Sequence, residues 1–86
     1  MNIKISNYID DYLKYMMSNS DSVVLSTPNI ENDMRLYINR KYERNYLVST
    51  VTRSWRRFKS LTNKYQIVEH YIQHVDSFKR YLIKRL

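Results

Sequence analysis

The chain has 86 residues and carries 15 Lys and Arg against 8 Asp and Glu, a formal charge of +7. That length holds one domain, taken as residues 1–86, with a modest core that a partner or a second copy would help to stabilise. Cysteine and glycine are both absent, which excludes disulfides and thiolate metal sites and argues against phosphate-cradling loops and tight glycine hairpins.

Apolar content of 43% is too high for a disordered tail. No run reaches the length of a membrane span, and the first residues lack the basic-then-apolar order of a signal peptide. The expectation is a soluble cytoplasmic protein with no membrane partner. Charge is placed unevenly. Up to Asp33 there are two lysines against five carboxylates, a net of −3; from Met34 onward there are thirteen Lys and Arg against three carboxylates, a net of +10. Such asymmetry points to a polyanionic partner for the second part.

From Ile3 to Met17, the apolar residues Ile5, Tyr8, Ile9, Tyr12, Leu13, Met16 and Met17 recur at steps of three and four, which predicts a helix. Ser18 to Ser22 is a break built of residues that bond their own backbone. Val23-Val24-Leu25 then reads as a β-strand or an extended connector. At Ser26-Thr27-Pro28-Asn29, Thr27 is the expected cap and Pro28 the first helical residue. The helix that follows turns Ile30, Met34, Tyr37, Ile38 and Tyr42 inward and ends near Tyr42 or Glu43, with Asn45 the expected left-handed stop.

A further helix spans about Leu47 to Leu61. At ~100° per residue, Leu47, Val48, Val51, Trp55 and Phe58 share one side, and Ser49, Arg53, Arg56, Arg57 and Ser60 share the other. Beyond the candidate stop Asn63, the residues Val68, Tyr71, Ile72, Val75, Phe78, Leu82 and Leu86 keep the three–four spacing, which predicts one long final helix. A second reading makes Tyr65 to Glu69 a strand, with the helix starting near Tyr71. The expected fold is all-α or mostly α: three to four helices with a helix-turn-helix-like unit and room for one short strand or hairpin.

The helix pair from Pro28 to Leu61 resembles a helix-turn-helix. Its second half, "YLVSTVTRSWRRF" (Tyr46 to Phe58), is similar to the recognition helix of winged-helix and related regulators. The resemblance implies that this helix enters the major groove of double-stranded DNA with its N-terminal residues on base edges. Ser49, Thr50 and Thr52 would bond phosphates or bases, and Arg53 and Arg56 would pair with guanine. Arg57, Lys59 and Arg44 would neutralise phosphates, with Ser60 on the same face. The turn Glu43-Arg44-Asn45-Tyr46 lacks the family's glycine. Helical periodicity also continues where a wing would stand, so a wingless variant is as open as a winged one.

Other constellations point elsewhere. Tyr42, Tyr46 and Tyr65 near helix ends would offer stacking surfaces for single-stranded nucleic acid or RNA. Lys79, Arg80, Lys84 and Arg85 read as charge complementing a helix end. His70 and His74 stand four residues apart but lack further ligands, so no metal is expected. Asp10 and Asp11 are adjacent and diverge around a helix, and no nucleophile motif or cofactor loop is present, so neither catalysis nor a cofactor is expected. The function expected is DNA binding by a small transcriptional regulator, as a possible homodimer. The alternative is a small viral or plasmid module that docks on a host protein such as a polymerase or nuclease.

Overall fold

Three helices and a three-stranded antiparallel sheet make up the computed structural model, which describes residues 3–71 and 79–86. In chain order these are α1 (Ile3–Met16), β1 (Ser22–Ser26), a π-helical stretch (Asn29–Met34) that runs into α2 (Arg35–Tyr42), α3 (Val48–Leu61), β2 (Tyr65–Tyr71) and β3 (Lys79–Arg85). The fold is α+β, which corrects the all-α or mostly α expectation. In the sheet, β3 lies between β1 and β2, with Val23 and Ile67 both opposite Ile83.

The long final helix is replaced by two strands because their residues satisfy both periods. Read at period two, Tyr65, Tyr81 and Ile83 point inward, and they are 5%, 6% and 0% exposed. The helical reading left these residues off its stripe and used Val68 and Leu82 instead. Those two sit on the outer face, Val68 opposite Leu82, with Val68 40% exposed. Aromatic and β-branched residues are at ease on a pleated surface. The deciding factor is β1: Val23-Val24-Leu25 cannot leave its backbone groups unpaired, and β3 supplies the ladder. Ile72, Val75, Phe78, His74 and Asp76 lie outside the described residues.

The three helices follow the sequence expectation closely. Ile5, Ile9, Tyr12, Leu13 and Met17 of the first segment are buried, as are Ile30, Met34 and Ile38 of the second and Val51, Trp55 and Phe58 of α3. With Leu25, Tyr65, Tyr81 and Ile83 they form one hydrophobic core. Trp55 stands at its middle, 5.9 Å from Phe58 and edge-on to Tyr81 at 5.3 Å.

Several local expectations change. The cap before Pro28 is Ser26, not Thr27. Asn29 N–H donates to Ser26 Oγ at 3.4 Å, and Ser26 N–H donates to Asn29 Oδ1 at 2.9 Å, a reciprocal capping box. Thr27 instead bonds the Lys79 backbone, tying the end of β1 to the start of β3. The left-handed stop is Glu43, with φ 52° and ψ 51°, not Asn45. Leu47 and Val48 are not inward: Leu47 is the extended residue that precedes α3 and is 69% exposed. Met16, at the end of α1, is also exposed.

Candidate nucleic-acid interface

Helix α3 has two unlike faces because its apolar residues recur at 51, 55 and 58 while its cations fall between them. Val51, Trp55 and Phe58 hold one side in the core. At ~100° per residue, Ser49, Arg53, Arg56, Arg57 and Ser60 fall within an arc of about 100° centred opposite that side. Arg53, Arg56 and Arg57 are exposed, and no carboxylate pairs with any of them among the described residues. Ser49 is exposed near the start of the helix and Thr50 is half-buried. Two hydroxyls are already engaged: Thr52 Oγ1 donates to the Val48 carbonyl at 2.7 Å, and Ser60 Oγ donates to the Arg56 carbonyl at 3.2 Å. Each keeps its acceptor lone pairs.

Lys59 stands apart from this group. Its ammonium pairs with Glu69 on β2 and lies 4.9 Å from the centre of the Tyr81 ring. The pair holds the Glu69 carboxyl below its ordinary value, chiefly through the Lys59 hydrogen bond. Lys59 therefore links α3 to the sheet, and its charge is largely spent. Arg44 lies in the turn, exposed, with its guanidinium 3.3 Å from the Tyr8 hydroxyl and over the Tyr8 ring. The turn holds its shape without glycine because Asn39 grips it: Asn39 Nδ2 donates to the Tyr46 carbonyl at 3.1 Å, and Tyr46 N–H donates to Asn39 Oδ1 at 2.9 Å.

The acidic residues of α1 are committed to internal ties rather than to an outside surface. Asp11 Oδ2 accepts from Lys41 at 2.7 Å, from Tyr42 at 2.5 Å and from Tyr37 at 3.2 Å. Burial pushes the Asp11 carboxyl up, but the bonds from Lys41 and Tyr42 outweigh it and hold it below its ordinary value. Asp10 turns the other way and accepts from Tyr65 at 2.5 Å, with Lys14 at 3.3 Å and Lys64 at 3.7 Å. Its carboxyl is likewise held low, the burial penalty being exceeded by the Tyr65 and Lys14 bonds. Tyr65 is thus buried, and Tyr42 is stacked on Tyr8 at 3.8 Å. Of the three candidate stacking tyrosines, Tyr42 and Tyr46 are half-buried.

Beside the arginine face, a groove of about 510 Å³ runs between the start of α1 and the second half of α3. Arg53, Arg57, Leu61 and Lys64 line it, together with Asp10, which pairs with Lys64 at 3.7 Å. Sequence reading missed the sheet's part in the charge pattern. Arg80 and Lys84 lie on its outer face beside Leu82, while Arg85 on β3 reaches the Met17 carbonyl at 3.3 Å. The legible signal was the alternation Arg80-Tyr81-Leu82-Ile83-Lys84, which the helical stripe hid. Among the described residues, no three His, Asp or Glu side chains gather as metal ligands, and no helix is long and apolar enough to cross a membrane. No family model matches the chain, nor does any curated protein or solved structure.

Proposed function

We propose that this chain binds double-stranded DNA in the manner of winged-helix regulators, with α3 as the recognition helix, and that it serves as a small transcriptional regulator. The observation that carries the reading is the set Arg53, Arg56 and Arg57: exposed, without carboxylate partners among the described residues, on a helix whose other side is locked by Trp55. A rigid helix with a free cationic face suits a phosphate-lined groove, because its side chains need little reorganisation to bind. The strand pair β2–β3 that follows α3 stands where a winged variant would carry its wing, and this supports the winged form of the reading over the wingless one.

On this reading Arg53 and Arg56 meet base edges and Ser49 and Thr50 approach the backbone or bases from the start of the helix. Arg57 and Arg44 contact phosphates, while Lys59 and Glu69 hold the helix to the sheet. The test is fluorescence anisotropy of a random-sequence duplex titrated with the protein at about 50 and 200 mM salt. Binding that weakens steeply with salt is the expected result. Absence of binding at the lower salt would overturn the proposal and favour the protein-docking alternative.

A further inference from the structure

On the side of α1 away from Asp10, the end of α1 and the exposed face of α2 enclose a shallow hollow. Its walls are apolar: Tyr15, Met16 and Leu36 are 60%, 38% and 42% exposed, and the Tyr37 ring stacks on Tyr15 at 5.0 Å. Exposed apolar side chains gathered on one face of so small a protein mark a contact surface. The Tyr12 ring lies at this hollow, and its buried hydroxyl has no hydrogen-bond partner among the described residues.

Charge on this face has a polarity that identifies the occupant. From the π-helical stretch into α2 the order is Asp33, then Leu36 and Tyr37, then Arg40, with Leu36 and Arg40 opposite the buried Ile38 and all four on the wall of the hollow. Asp33 and Arg40 are both exposed. Asp33 accepts only the Asn29 side chain, and Arg40 has no hydrogen bond or ion pair among the described residues. The midpoint between them falls at Leu36 and Tyr37. Two antiparallel copies of this helix, related by a two-fold axis at that midpoint, set each Asp33 against the other copy's Arg40 and each Leu36 against the other copy's Tyr37.

We infer that this chain forms a two-fold symmetric homodimer through the surface formed by Asp33 of the π-helical stretch, Leu36 and Arg40 of α2, and the adjoining end of α1. A single patch that carries an acid at one end, a base at the other and an apolar centre is complementary to itself, which is what a two-fold interface requires. If the contact covers a usual tenth of the 6106 Å² surface, it takes about 600 Å² from each copy, or about 1,200 Å² in all. That is the lower end of specific interfaces, so the dimer is weak and concentration-dependent. The inference stands whether or not α3 binds DNA, and the Arg53–Arg57 face is left open in the pair.

The experiment is sedimentation equilibrium over about 1 to 300 µM protein, the span that a small interface calls for. The wild-type chain should pass from monomer toward dimer. Asp33→Arg and Arg40→Asp, each checked for folding by circular dichroism, should each weaken dimerisation by about tenfold or more, because both symmetric pairs become repulsive. Mixing the two variants should restore association, since each then carries the charge that the other lacks. Leu36→Arg should leave only monomer. A wild type that stays monomeric throughout overturns the inference, as does a dimer indifferent to both charge reversals or a mixture that fails to recover.

Discussion

Replacing Arg53, Arg56 and Arg57 together by alanine tests the α3 surface most directly. All three side chains project into solvent and touch no carboxylate among the described residues, so their loss leaves the core of Val51, Trp55 and Phe58 in place. Melting should therefore stay near wild type. On this reading Arg57 neutralises a phosphate and contributes about 0.9 to the slope of log affinity against log salt, while Arg53 and Arg56 each contribute about 1–3 kcal/mol of base discrimination. Between about 50 and 200 mM salt the Arg57 share of the slope is worth a factor of ~3.5 in affinity, which the variant should no longer lose, and its preference for one sequence over another should fall as well. Lys59→Ala is the control. Its ammonium is paired with Glu69 and lies against Tyr81, so its removal should leave the slope nearly unchanged while loosening the contact between α3 and the sheet. Anisotropy titrations at four or five salt concentrations measure both. A folded triple variant with the wild-type slope would refute the reasoning, and so would a Lys59→Ala slope as reduced as that of the triple variant.

The remaining predictions concern the frame that holds this surface. Trp55→Ala should cost roughly 3–5 kcal/mol in denaturant unfolding, the usual cost of emptying a large aromatic core site. Trp55→Phe should cost less than about 1.5 kcal/mol, since it keeps much of the volume and removes an indole N–H that is buried without a partner among the described residues. Glu43→Gly should stabilise by about 0.5 kcal/mol in the same assay, because glycine removes the left-handed strain at φ 52° but loses more chain entropy on folding. The Asp11 carboxyl sits below its ordinary value in the folded protein, so the unfolded chain binds more protons as pH falls toward 3.8 and below. Its stabilising effect is therefore present above that value and is lost as pH drops through the lowered folded value. Asp11→Asn should flatten this acid limb of the stability curve, and an unchanged limb would show that the three donors to Asp11 contribute nothing.

How much of this was legible in advance depends on the element. In α1, α2 and α3 the three–four spacing runs long enough to exclude period two, and the buried residues are largely those the spacing selects. The outward set Ser49, Arg53, Arg56, Arg57 and Ser60 follows from the same spacing. The role of Lys59 does not, because it depends on Glu69 and Tyr81, which approach it only when β2 and β3 are strands. Likewise Asn39, an ordinary helix residue in the sequence, takes the place of a turn glycine only because Tyr46 folds back onto it. The cap was missed by one residue because Ser26 and Thr27 are both suitable oxygens, and Thr27 is drawn instead to the Lys79 backbone.

The sequence by itself determined the three helices, the inward tryptophan, the outward arginines and the basic second part, because each follows from local spacing and side-chain type. Only the tertiary structure decided the state of the last third. Tyr65–Tyr71 and Lys79–Arg85 are compatible with helix or strand, and the choice rests on β1, more than fifty residues away in sequence from its partner β3. Val23 to Leu25 has backbone donors and acceptors that a helix cannot satisfy, and pairing them with Tyr81 to Ile83 buries Leu25, Tyr81 and Ile83 against Trp55 and the helices. That is a long-range hydrogen-bonding and burial condition, which no local pattern records.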